Sequence, residues 1–179
     1  MAGSGGTTSA GGMSTGGTTT SSSSSSTGCA GLGDACTDCL ADKCNATYCA
    51  CYADLACGSL VQCSQGCAGD AACNQGCFTN NQAGISEAAL LGDCAATNCA
   101  ACPGTAALEP CTKCLFGACP AVMNKCLANA ECAALIACAQ DCAGDAICQF
   151  GCYTDHPDGQ SDADGVSTCV QDSCSGQCG

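Results

Sequence analysis

The chain has no tryptophan and no arginine. Its only basic side chains apart from one histidine are Lys43, Lys113 and Lys125, set against 16 acidic residues, and the net charge is −13. Nucleic-acid binding draws its affinity from Lys and Arg displacing phosphate counterions, so that function class is excluded. Attraction to an anionic membrane surface needs the same basic residues and falls with it. Large apolar side chains are scarce too. Three Phe and three Tyr are the only aromatics, and much of the 47% hydrophobic content is Ala and Cys. No run reaches the ~18–20 consecutive apolar residues of a transmembrane helix. No basic n-region leads into an apolar h-region, so no export signal is visible in these residues.

What the chain has in quantity is cysteine, 26 of 179 residues. Twenty-four of them form two sets in register. The first is Cys36, Cys39, Cys44, Cys51, Cys57, Cys63, Cys67, Cys73, Cys77, Cys94, Cys99 and Cys102. An offset of 75 gives Cys111, Cys114, Cys119, Cys126, Cys132, Cys138, Cys142, Cys148, Cys152, Cys169 and Cys174, and the twelfth arrives one residue late at Cys178. This reads as a tandem duplication of a twelve-cysteine module. Cysteine above about 8–10% of a short chain signals a disulfide scaffold. Such a scaffold needs an oxidising compartment. The expectation is an extracytoplasmic protein, secreted or tethered at a cell surface, whose export signal is not present in this chain. A small domain with so little large apolar surface draws no more than ~3–5 kcal/mol from its core, while each bridge adds ~2–4 kcal/mol. Cross-links must therefore carry most of the stability.

Composition divides the chain. Residues 1–28 are nearly all Gly, Ser and Thr and read as a disordered tether. Residues 29–104 and 105–179 are the two modules, and the short link Gly104–Glu109 brings them into contact. Asp54 and Asn129 stand at matched N-cap positions before Leu55–Cys67 and Ala130–Cys142. Both helices run into Ala-Gly-Asp-Ala, where Gly69 and Gly144 suit a left-handed helix stop and Asp70 and Asp145 cap the next helix. So tight a turn forces an antiparallel hairpin. After a loop at Thr79–Gly84 and its copy Thr154–Gly159, Ser86 is the cap candidate for a further helix carrying Cys94 and Cys99. Cys36–Leu40 and Cys111–Leu115 open each module as short helices. The fold class is all-α, a small disulfide-rich tandem repeat of helical hairpins with a disordered N-terminal tail.

The hairpin geometry predicts nested bridges, Cys67–Cys73 inside Cys63–Cys77, with Cys142–Cys148 inside Cys138–Cys152 in the copy. This CxxxC…CxxxC arrangement resembles the α-hairpin families of small disulfide proteins over about fifteen residues per module, a likeness of architecture alone. Cys29 and Cys49 have no counterparts, and by elimination pair with each other. The remaining eight cysteines of each module allow about 105 connectivities, and spacing does not choose among them.

Thiolate metal binding is the rival. Cys36-x-x-Cys39, Cys99-x-x-Cys102 and Cys111-x-x-Cys114 have zinc-ribbon-like spacing, and soft thiolates select Zn(II) or Cu(I). Helices lined with CxxxC resemble four-helix copper-storage proteins in that spacing only. Against it stand the helix caps and the scarcity of Lys to offset thiolate charge. The acidic stretch Asp155–Gly165 suggests calcium oxygens but misses the EF-hand pattern, with Gln160 at the first ligand position and no closing Glu; a solvated turn is the default. Asn45-Ala-Thr47 is a formal glycosylation sequon. Cys–His catalysis needs an imidazole beside a free thiolate. The one histidine, His156, aligns with Asn81 and reads as an exposed loop residue. No catalytic residue and no cofactor is implied.

The whole pattern resembles cysteine-rich, exported, lipoprotein-like repeat proteins of myxobacteria. The matching residues are the tether Gly5–Gly28, the Cys-Thr-x-Cys-Leu runs Cys36–Leu40 and Cys111–Leu115, the Cys63/Cys67/Cys73/Cys77 set with its copy, and Pro157-Asp158-Gly159. The first module departs at Gln82-Ala83-Gly84. The resemblance implies export and surface tethering and carries no activity over. Three functions follow in order: a non-catalytic, disulfide-stapled structural or interaction module; a thiolate metal-binding or storage protein; a secreted effector or inhibitor. The first meets an unspecified protein or surface partner, and residues alone leave the oligomeric state open.

Overall fold

Residues 29–179 are described by the computed structural model, and the tether read over 1–28 lies outside them. Helix starts follow the acidic caps. The Asp34 carboxylate accepts the Cys36 and Thr37 N–H groups and opens α1, Ala35–Lys43. Asp54 accepts from Cys57 N–H at 2.8 Å and opens α3, Leu55–Gly66. Asp70 accepts from Cys73 N–H at 2.7 Å and opens α4, Ala71–Asn80. An oxygen here satisfies donors that have no intrahelical partner, and its charge meets the positive end of the helix dipole. In the C-terminal half, Asn129 caps α8, Ala130–Asp141, and Asp145 caps α9, Ala146–Asp155. The remaining helices are α2 (Asn45–Ala53), α5 (Ile85–Asn98), α6 (Pro110–Ala118), α7 (Pro120–Ala128), α10 (Gln160–Cys169) and α11 (Ser175–Cys178). Among the described residues there is no strand, and no single helix is long and apolar enough to cross a membrane.

The hairpin turns use two left-handed residues, not one. Ala68 (φ 48°) precedes Gly69 (φ 89°), and Ala143 (φ 47°) precedes Gly144 (φ 90°). Gly takes this conformation freely, whereas each Ala carries a Cβ against the following carbonyl.

Three readings of the sequence need correction here. The expected loop Thr79–Gly84 is helical at its start, because α4 continues to Asn80, and a 3-10 turn, Gln82–Gly84, takes up the rest; the copy has the same course through Pro157–Gly159. Ser86 is not a cap. It lies in the first turn of α5, 2% exposed, and its N–H points to Asn124 Oδ1 at 2.8 Å. The caps also gave no sign of α2 and α7. Neither has a side-chain cap, and α7 begins on Pro120, whose fixed φ suits a first helical position. Each buries one stripe, Tyr48 with Cys51 and Met123 with Cys126, three residues apart on one face.

Covalent links tie the helices of each half together. Cys36–Cys102, Cys39–Cys99 and Cys44–Cys94 are three rungs between α1 and the far end of α5. Cys51–Cys57 crosses the α2–α3 corner, and Cys63–Cys77 with Cys67–Cys73 staples the α3–α4 hairpin. The C-terminal half repeats this set as Cys111–Cys178, Cys114–Cys174, Cys119–Cys169, Cys126–Cys132, Cys138–Cys152 and Cys142–Cys148. The late Cys178 is accommodated by a π turn, Val170–Cys174, leading into α11. Its rung keeps a Cα separation of 4.6 Å, against 4.7 Å for Cys36–Cys102.

The two halves share a core. Leu60, Cys67, Cys77 and Ile85 join Leu115, Phe116, Met123 and Leu135 in one buried cluster, while Leu40, Tyr48 and Leu91 belong to a second cluster in the N-terminal half. Polar bonds fix the junction. Asn124 Oδ1 accepts from the Ser86 hydroxyl at 2.6 Å, and Asn124 Nδ2 donates to Ala83 O at 2.8 Å. Gln75 Nε2 donates to Leu127 O at 3.0 Å. Asn124→Ala strands the buried Ser86 N–H, costing about 1–3 kcal/mol when left unmade, while the Ser86 hydroxyl keeps Pro120 O at 3.3 Å and the carbonyl of exposed Ala83 turns to water. The expected outcome is a thermal midpoint well below that of the parent with all bridges intact, measured by circular dichroism.

Candidate functional site

Every cysteine in the chain is in a disulfide; among the described residues none is free. The structure contains the hairpin bridges Cys67–Cys73, Cys63–Cys77, Cys142–Cys148 and Cys138–Cys152, and the bridge Cys29–Cys49 reached above by elimination. The zinc-ribbon reading would put the two sulfurs of each C-x-x-C on one ion. Instead Cys36 and Cys39 go separately to Cys102 and Cys99, and Cys111 and Cys114 to Cys178 and Cys174. A disulfide sulfur has no thiolate to offer a soft ion. The densest sulfur clusters lie elsewhere, at Cys63, Cys67 and Cys77 and at Cys138, Cys142 and Cys152, each within 4.8 Å. They arise where the two staples of a hairpin stack, with Cys67 Sγ 3.5 Å from Cys77 Sγ.

The acidic stretch Asp155–Gly165 is not a solvated turn. It finishes α9, passes a 3-10 turn and enters α10. Asp162 is taken up by Asn129 Nδ2 and Lys125 Nζ, both at 2.9 Å. Those two partners hold its carboxyl below the usual range, Asn129 contributing most. His156 is likewise not an isolated loop residue: it ends α9, with Nδ1 2.9 Å from Glu131 Oε2. The sequon residue Asn45 sits in the first turn of α2 and donates its amide to Ala41 O at 2.9 Å.

Each lysine meets a carboxylate: Lys43 with Asp42, Lys113 with Asp93, Lys125 with Asp162. The Asp93–Lys113 pair spans the junction between the halves at 2.7 Å, and Asp93 also accepts Leu108 N–H at 2.8 Å. Asp93 is 5% exposed, and the Lys113 hydrogen bond, then that of Leu108, hold its carboxyl below the ordinary value. A carboxylate with a depressed folded pKa contributes stability above its unfolded pKa of about 3.9, lost as pH falls through the lower folded value. Stability is therefore expected to fall below about pH 4. Asp93→Asn should flatten that fall, read as denaturation midpoint against pH.

Buried titratable groups serve packing. Burial first, then the neighbouring Tyr52, pushes the Tyr48 phenol up to about 12, so it stays neutral inside the core. Two shallow depressions mark the surface. One lies between Thr47, Leu90, Asp93 and Lys113, the other between Val122, Lys125, Asp162 and Gly165. The surface offers exposed apolar side chains in both halves. Leu32 (70% exposed), Tyr52 (49%) and Leu55 (88%) belong to the N-terminal half, Ile147 (85%) and Phe150 (71%) to the C-terminal half. Cysteine counting passed over these residues. The signal was present in their alignment, since Phe150 stands where the first half has Gln75 and Tyr52 where the second has Leu127. No protein-family model matches the chain, and comparison with curated proteins and with solved structures returns no match.

Proposed function

We propose that the chain is a non-catalytic structural or interaction module of an oxidising, extracytoplasmic compartment, held at a surface by its Gly/Ser/Thr tether in the manner of the myxobacterial proteins it resembles. The observation that carries this reading is the pairing of all 26 cysteines in thirteen disulfides with none free. Such a framework persists where thiol buffers do not reduce it. It leaves the exposed apolar side chains, not sulfur, as the chemically distinctive surface. Natively isolated protein is expected to weigh about 26 Da less than the all-thiol chain, two hydrogens per bridge, and to take up alkylating reagent only after reduction. Titratable thiols in the unreduced protein overturn the reading. A thiolate metal protein is the second reading, favoured by the sulfur clusters at Cys63/Cys67/Cys77 and Cys138/Cys142/Cys152. Stoichiometric zinc or copper by elemental analysis of the unreduced protein would establish it.

A further inference from the structure

We propose that a second copy of this chain docks head to tail on the first, the α9 face of one copy against the α2 face of the next. The inference rests on the interaction-module reading and names its partner.

The chain already makes one such contact with itself. At the junction between the halves, α4 lies on α7. Gln75 Nε2 bonds the carbonyls of Leu127 and Ala128, at 3.0 and 3.3 Å, and Thr79 Oγ1 bonds Ala128 O at 3.1 Å. The 75-residue register carries α4 onto α9 and α7 onto α2. Gln75 then corresponds to Phe150, Thr79 to Thr154, Leu127 to Tyr52 and Ala128 to Ala53. The bridges recur in that register, so each half presents the same pair of faces. One face of each is used internally. The other is left over, α2 in the N-terminal half and α9 in the C-terminal half.

Burial agrees with this. Leu127 and Ala128 are partly covered at the internal junction, whereas Tyr52 and Ala53 are exposed. Gln75 is partly covered, whereas Phe150 is 71% exposed. Both leftover faces are flanked by residues more apolar than their counterparts, Ile147 in α9 for Ala72 and Leu55, the first residue of α3, for Ala130. Ile147 lies one turn before Phe150, and Leu55 three residues after Tyr52, at 85% and 88% exposure. Apolar side chains gathered in this way mark interaction surfaces. Contact between unlike faces is heterologous, so a docked pair still offers one free face of each kind and can extend.

Two features limit the strength of this contact. The position matching Asn124, which receives Ser86 internally, is Cys49, and it is tied to Cys29. The positions matching Ile85, buried in the shared core, and Ala89, packed against it, are Gln160 and Asp164. The contact between copies therefore reproduces the α4–α7 part of the junction without its α5 part. That makes it small, weak and reversible. A net charge of −13 on each copy opposes it, so salt strengthens it by screening.

The test is sedimentation velocity on the full oxidised chain over a rising concentration series, in low and high salt. The expected result is a sedimentation coefficient that grows with concentration, more steeply in high salt. Phe150→Ser and Tyr52→Ser should each weaken association about tenfold or more, because each removes a large apolar contact. Leu55→Ser, fully on the surface, is the companion variant should Tyr52→Ser disturb Tyr48; circular dichroism reports whether each variant is folded. An equimolar mixture of Phe150→Ser with Tyr52→Ser retains one intact α9 face and one intact α2 face, so it should form dimers and nothing larger. The proposal is overturned if the parent stays monomeric at every concentration and salt. It is equally overturned if Tyr52→Ser and Leu55→Ser both leave association unchanged, or if the mixture stays monomeric. Intact mass on the same sample separates the two levels. A monomer with all bridges formed removes only the docking, whereas free thiols or bound metal remove the reading beneath it.

Discussion

Complete reduction in native buffer, followed by alkylation, is expected to abolish the cooperative thermal transition and most of the far-UV helical signal. The helices have little else to hold them. The five helices α1–α5 run to between 9 and 14 residues, and isolated helices shorter than about 12–15 residues are marginal in water. Among the described residues, thirteen of the twenty-five buried apolar side chains are themselves cysteines. Opening the bridges thus removes the constraint on the unfolded chain and disrupts the packing of the interior together. Circular dichroism before and after reduction reads the outcome. A retained transition with a modestly lowered midpoint would mean that Leu60, Leu135 and their neighbours suffice alone.

Single bridges should matter far less, for a reason visible in their nesting. In the chain-entropy account, a loop the size of that closed by Cys39–Cys99 contributes about 4 kcal/mol. With Cys36–Cys102 and Cys44–Cys94 still in place, however, its ends are already close, and most of that entropy is already lost. The three rungs act as one device: each alone is dispensable to a degree, and the set is not.

The parts of this fold legible in the sequence are those fixed within about one turn of helix. Asp70 and Asp145 cap because their carboxylates reach the N–H group three residues on, and Asp145 also the one two residues on, and this proximity is local. The hairpin staples follow from the caps, since Cys67 and Cys73 must meet once the turn between them is tight. Cys29–Cys49 follows from counting. The rungs Cys36–Cys102 and Cys39–Cys99 join residues 66 and 60 apart, and nothing local announces which of eight cysteines meet across such spans. That choice is made by how α1 lies along α5, a matter of tertiary packing around Leu40 and Leu91. Ser86 misled for the same reason. Its residue type suits a cap, but a buried amide from the other half, Asn124, claims its N–H. The one hint was the exchange of Cys49 for Asn124 between matched positions, which marks where the N-terminal half carries the Cys29 bridge and the C-terminal half carries the other half of the molecule. Phe150 and Tyr52 stand out only when the two halves are compared position by position, because cysteine spacing carries no information about the side chains between the cysteines.

Gly84→Ala is expected to be among the most damaging single substitutions in the chain, and Gly159→Ala its equal. Gly84 and Gly159 occupy the same place in the two halves, and both are buried. A Cβ on Gly84 would overlap the backbone of Ala56 and Cys57; one on Gly159 would overlap that of Glu131 and Cys132. The 3-10 turn is thus pressed against the first turn of α3 or α8, close enough that only hydrogen fits between them. Ordinary overpacking costs about 1–3 kcal/mol because side chains move aside. Here the opposing atoms are backbone, pinned by the buried Cys51–Cys57 and Cys126–Cys132 bridges, so the cost should exceed that range. Gly92→Ala is the control. It sits inside α5 with nothing within 4 Å of the added carbon, and replacing a mid-helix glycine there should stabilise by roughly 0.5–1 kcal/mol. Opposite shifts in denaturation midpoint for these two glycine-to-alanine changes would show that the close approach of backbones, not glycine's flexibility, is what position 84 requires; a midpoint for Gly84→Ala equal to the parent's would mean that the turn and α3 do not meet so closely.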